Sequence, residues 1–169
     1  TLVSGAALTS GDVLFNLGQS IRAVGYAIRS GNLAMCDFTD TGRDCTQANA
    51  WVSIANNMVS LRAQYGRDTT APNMDAIVDT YDQTAPTTAC GLIRVPSARL
   101  ALVARSTQAE KDVVTTVAPV WEGSLDAVGN PAAPIVLTGL SDWQQYRYKV
   151  FQTMVPLRNI SWMGAVSGC

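Results

Sequence analysis

Hydrophobic positions change period along this chain, from spacings of three and four near its start to alternation further on. Leu14, Leu17, Ile21, Val24 and Ile28 fall on one stripe of a helix. Ser10 stands where an N-cap belongs, Asp12 complements the dipole in the first turn, and Gly31-Asn32 reads as a stop signal. The spacing predicts a helix over 11–30. Gly18 and Gly25 would each cost about 1 kcal/mol relative to Ala inside it, so close packing against a neighbour is expected there. Alternation predicts strands over 58–65, where Val59, Leu61, Ala63 and Tyr65 alternate with polar residues, and over 97–105, where Leu100, Leu102 and Ala104 share a face. A β-branched run predicts another over 113–120. The last predicted strand, 146–155, carries Tyr146, Tyr148, Val150, Gln152 and Met154 on one face, with Arg147, Lys149 and Thr153 on the other. Phe151 and Val155 interrupt that second face, so both sides are expected to be partly covered, and Pro156 marks a strand end or an edge. Between these elements, 32–49 reads as a polar loop, 47–57 as a short helix or an irregular approach, 68–89 as an ordered surface loop and 92–95 as a helical turn or short strand. One helix followed by strands predicts an α+β domain spanning 1–169, with the helix laid across an antiparallel sheet.

Composition narrows the chemistry. With 169 residues, 47% of them hydrophobic and 15% charged, the chain can bury a core in one unit. Twelve basic against 13 acidic residues leave no global positive field, so general nucleic-acid binding is not expected. The absence of histidine removes Ser-His-Asp and Cys-His triads and the commonest zinc ligand, which weighs against most hydrolases. No run of about 18 apolar residues is present to cross a membrane. The chain starts at Thr1 rather than Met, and an upstream segment is expected to have been removed.

Cys36, Cys45, Cys90 and Cys169 lack any Cys-x-x-Cys spacing, so disulfides are favoured over a zinc knuckle, with a periplasmic or extracellular location. Of three possible connectivities, Cys36 with Cys45 and Cys90 with Cys169 is preferred, the first closing a short polar loop and the second tying down the C-terminus; free buried thiols are the alternative. Asp68, Asp75, Asp79 and Asp82 offer oxygens for calcium, but they lack alternate spacing and a turn glycine, so a solvated acidic loop is expected and no metal is assigned. Asp37, Asp40 and Asp44 lie in a polar segment unsuited to a raised-pKa acid. Ser4, Ser10 and Ser97 have only Lys111 and Lys149 as possible activating lysines, so no catalytic residue is assigned. Trp51, Trp121, Trp143 and Trp162 would make a sugar- or peptide-stacking platform if exposed together; core or interface is the default.

Four blocks resemble the PilW-type minor pilins of type IV pili, relatives of the GspJ-like pseudopilins of type II secretion. They are LGQSIRAVGYAI at 17–28, VSLRAQYGRDT at 59–69, RVPSARLALVARS at 94–106 and YRYKVFQTMVPLRN at 146–159, which occur in the family's order. The loop reading DTTAPNMDAIVD departs from the family's richer acidic loop, and no metal site is carried over. The resemblance implies a pilin-like domain whose helix has lost its hydrophobic half, the part that would anchor it in the inner membrane and then in a filament core. It further implies a non-enzymatic minor pilin that helps prime pilus assembly and sits at the tip, with other minor pilins, the major pilin and a tip adhesin as partners and without a cofactor. The subunit is expected in the inner membrane and periplasm before assembly and outside the cell afterwards, serving motility, DNA uptake or adhesion. Leu14, Leu17 and Ile21 of the stripe, together with Arg22, are the expected subunit interface; Arg22 either pairs with an acid of a neighbouring subunit or lies on a solvated face. The alternatives are a minor pseudopilin of type II secretion and, in another class, an extracytoplasmic carbohydrate- or peptide-binding module.

Overall fold

The computed structural model describes residues 20–157, 166 and 169. Its architecture corrects the α+β expectation: two antiparallel sheets carry the described residues, with no N-terminal helix laid across either. The first sheet holds β1 (Val24–Arg29), β2 (Asn32–Asp37) and β3 (Val52–Asn56) in that order. The second is ordered β5-β4-β6-β7, from β4 (Met58–Arg67), β5 (Thr80–Asp82), β6 (Ser97–Arg105) and β7 (Tyr148–Pro156).

Over the described residues 20–30 the predicted helix gives way to a strand, because its stripe fits two periods. Val24, Tyr26 and Ile28 also alternate, and the chain takes that option as β1, paired with β2 from Val24↔Asp37 to Arg29↔Asn32. The Gly-Asn stop signal belongs to a hairpin instead. Ser30 and Gly31 both have positive φ, at 49° and 71°, the primed-turn geometry that suits the twist of a two-residue hairpin. Gly25 does pack closely, though in a strand: a Cβ there would lie 2.6 Å from Phe38 Cε2. Residues 11–19 of the predicted helix lie outside the described residues.

Strands at 58–65, 97–105 and 146–155 appear as β4, β6 and β7, within two residues at each end. The segment 113–120 is not a strand. Val114 and Thr115 donate their N–H groups to Gln144 O, and no ladder forms. Beta-branching favours a strand only where an edge is available to pair. Conversely, β2 lies in what reads as a polar loop, since its apolar core of Leu33 to Cys36 is only four residues between Asn32 and Asp37. A 3-10 turn (Ala48–Ala50) and β3 fill 47–57, and a short helix α1 (Ala89–Ile93) is capped by the Thr88 hydroxyl, which accepts from Gly91 N–H.

Asn57, at φ 57°, passes the chain from the first sheet to the second. Its N–H donates to Asn32 Oδ1 at 3.2 Å, and its carbonyl accepts from Arg105 N–H at 2.9 Å, so one residue is bonded into both. Disulfides join Cys36 to Cys45 and Cys90 to Cys169, the preferred connectivity.

The core lies between one face of β4-β6-β7 and the connection 106–147. Val59, Ala101 and Val103 from the sheet meet Trp121, Ala133, Ile135 and Leu137 from the connection, flanked by Trp143, Tyr148 and Val150. Irregular chain can cover a sheet only where its polar groups find partners. Here the Trp121 indole donates to Ala133 O at 2.7 Å, Arg62 Nε to Pro134 O at 3.0 Å, and the buried Gln64 amide to Gly123 O at 3.4 Å. Leu137 is 1% exposed. Leu137→Ala is expected to cost about 2–5 kcal/mol in denaturant unfolding, the penalty of a buried leucine truncation. A cost below about 1 kcal/mol would show that the connection does not seal the core.

Candidate functional site

The other face of the same sheet is apolar, and among the described residues little lies over it. Register places Leu61, Leu102 and Phe151 in one cross-strand row and Ala63, Leu100 and Thr153 in the next. These residues alternate with Ala101 and Val103, so β6 is apolar on both faces, as a central strand with two buried sides would be. Tyr26 of β1 and Leu33 of β2 form the opposite wall, because the first sheet stands against β4. The result is an open groove of about 410 Å³ whose lining is almost wholly hydrocarbon and aromatic. Phe151 remains 49% exposed and Tyr26 55%. Covering a large apolar side chain of this kind stabilises by about 1.5–3 kcal/mol, which is why contiguous exposed patches mark interaction sites.

Of the expected interface residues, Leu14 and Leu17 lie outside the described residues. Ile21 is exposed, at the entry to β1. Arg22 is engaged within the chain, donating through Nε and Nη2 to Asp37 Oδ2 at 3.0 and 2.8 Å. Asp37 also accepts from the Thr39 hydroxyl at 2.5 Å and the Thr39 N–H at 3.0 Å. These bonds to Thr39, then to Arg22, pull the Asp37 carboxyl from 3.8 down to about 2.

The acidic loop is organised by its own acids. Asp68 is 1% exposed and accepts N–H bonds from Thr70, Asp75 and Ala76, while Arg94 donates to the carbonyls of Asp68 and Thr70. Asp79 accepts from the N–H and hydroxyl of Thr69, which lower its pKa; Asp75 accepts from Ile77 N–H; and Asp82 pairs with Arg67 at 2.5 Å. The four carboxylates thus serve four different local structures. Among the described residues no group of three acidic or cysteine side chains converges as a metal site.

The tryptophans do not share a platform. Trp51 donates to Cys45 O and meets Phe38 edge-on, whereas Trp121 and Trp143 belong to the core or its margin; Trp162 is outside the described residues. Ser97 is buried, its hydroxyl 3.5 Å from that of Tyr81. Ser4 and Ser10 are outside the described residues. Sequence reasoning missed the groove, although the double-sided apolarity of 98–104 was its available signal.

A family model, type IV pilus-assembly protein W, matches residues 26–159, from the third residue of β1 past the end of β7. The chain belongs to this family. No curated protein and no solved structure matches the chain. Membership gives it a role in assembling the type IV pilus, in association with the cell envelope and other pilus components.

Asp37 yields a pH test of the β1–β2 hairpin. Its folded pKa lies below its unfolded one, so its contribution is present above about pH 4 and is lost as pH falls through about 2. Carboxyl-carbon NMR should give a midpoint near 2, rising toward 3.8 in Thr39→Val. A midpoint near 3.8 in the unmodified chain would disprove the Thr39 and Arg22 assignment.

Proposed function

We propose that this chain is a non-enzymatic minor pilin that helps to prime type IV pilus assembly and occupies the filament tip, contacting other minor pilins, the major pilin and a tip adhesin through its surfaces. The observation that carries the reading is the groove of Leu61, Leu100, Leu102 and Phe151, closed by Tyr26 and Leu33. A catalytic cleft needs convergent polar groups at fixed distances from a reacting atom. This concavity instead offers hydrocarbon, which stabilises contact with another apolar surface and activates nothing. Within a family that assembles pili, such a surface supports a subunit-contact role. The rival reading as a carbohydrate-binding module needs Trp51, Trp121 and Trp143 displayed together, and Trp121 and Trp143 are instead packed in and around the core.

The test replaces the gene with one encoding Phe151→Glu, a substitution at a half-exposed position that puts a charge into the groove. We expect a loss of about 2 kcal/mol or more in subunit association, roughly a thirtyfold weakening, read as a matching fall in surface pili counted by electron microscopy. Thermal unfolding of the purified domain should stay within about 3 °C of the parent. Normal pilus numbers in a strain carrying Phe151→Glu would overturn the assignment of this groove to assembly.

A further inference from the structure

A second concavity lies on the opposite face of the sheet, at the edge of the core, and it is built around one arginine. Arg99 of β6 donates through Nε to Gln64 Oε1 at 2.6 Å. Gln64 is 2% exposed and is itself held by Gly123 O, so the guanidinium is anchored by a buried amide. The Tyr81 ring stacks on it at 4.1 Å from the guanidinium carbon to the ring centroid, and the Trp121 ring stands at 5.7 Å. Aromatic faces fix the plane of a guanidinium without using its donors.

Those donors are open. Arg22, Arg43, Arg67, Arg94 and Arg147 each have a carboxylate within ion-pair distance, whereas Arg99 has none among the described residues. Neither terminal nitrogen of Arg99 bonds to a described residue, and neither is sealed from solvent, unlike the buried Nε atoms of Arg29 and Arg105. With Nε committed to Gln64, the pair Nη1 and Nη2 is left as an end-on fork, and Arg99 lines a cavity of about 290 Å³ together with Tyr81, Trp121, Glu122, Gln152 and Met154. Glu122 is turned to the rim, where its N–H donates to Gln152 Oε1 at 3.2 Å and its carboxylate accepts from the Gln152 amide at 3.5 Å.

We propose that this cavity is a receptor for a carboxylate, bound end-on by Arg99 between Tyr81 and Trp121. A planar two-oxygen anion matches the two parallel N–H vectors of the fork. Carboxylates reach such a cavity from a peptide, as an acidic side chain or chain terminus, or from an acidic sugar. The fold favours the peptide source, because the cavity adjoins the edge of β7 that no described strand pairs. Leu157 N–H donates to Pro96 O and Ser106 N–H to Arg147 O, so the odd-numbered residues of β7 bond to β6, and the peptide groups of Gln152 and Met154 face outward. An extended chain along that edge would carry its carboxylate over Arg99.

The test is an NMR titration of the full chain with N-acetylglycine, D-glucuronate, inorganic phosphate and, as the uncharged control, N-acetylglycinamide, following the Arg99 Nε–H and Trp121 indole N–H signals. A saturable shift at both with a dissociation constant of roughly 1–10 mM is expected for a carboxylate, and neither the amide nor phosphate should match it. A stronger response to N-acetylglycine identifies the peptide source, and one to glucuronate the sugar source; either supports the site. Arg99→Lys keeps the charge but loses the fork, and should weaken the carboxylate response about tenfold while the amide spectrum stays dispersed. Absence of saturation with both carboxylates, tighter phosphate binding, or unchanged affinity in Arg99→Lys would each overturn the proposal.

Discussion

Ala101 and Val103 on β6 can be removed from water only if something covers that face of the sheet. Neither a helix nor a second sheet does so among the described residues. The covering layer is the irregular connection 106–147, and its peptide groups must be satisfied for the burial to be favourable. The chain meets that demand from both sides. Turns inside the connection bond to themselves, as where Asp126 accepts from the N–H groups of Val128 and Asn130, and side chains of β4 reach across to carbonyls of Gly123 and Pro134. Burial of Trp121, Ile135 and Leu137 therefore depends on polar contacts that hydrophobic patterning alone does not reveal.

That dependence explains which parts of the fold were legible in the sequence. The strands β4, β6 and β7 were readable because each runs nine or ten residues with an apolar alternation that no other period fits. β1 was misread because Val24 and Ile28 satisfy both a helical and an extended spacing, and only the Ser30-Gly31 turn, two successive residues of positive φ, decides between them. β2, β3 and β5 are too short to outweigh the polar residues around them, and their strand character comes from pairing with longer neighbours. The cysteine pairs match the connectivity preferred among the three that the sequence allows. The groove was visible in principle as apolarity on both faces of β6, yet a sequence does not say which buried-looking face the described residues leave open.

The charged residues follow one rule throughout. Asp68, Asp79, Asp82 and Asp126 each close a turn or a loop by accepting backbone N–H groups, and five of the arginines tie neighbouring segments to a carboxylate. Local roles of this kind disperse the acids and keep them from meeting at a metal. The acidic composition of 68–82 therefore reports how a long loop is folded.

The bridge between Cys90 and Cys169 has a mechanical consequence. It encloses β6, the connection and β7 within one covalent ring, since all of them lie between the two linked cysteines. Tension entering from the N-terminal side and leaving at Cys169 crosses from α1 through sulfur and bypasses the enclosed strands. Traction cannot draw Cys90 and Cys169 apart, so β6, the connection and β7 stay in one covalent loop even where the ladder between β4 and β6 is pulled open.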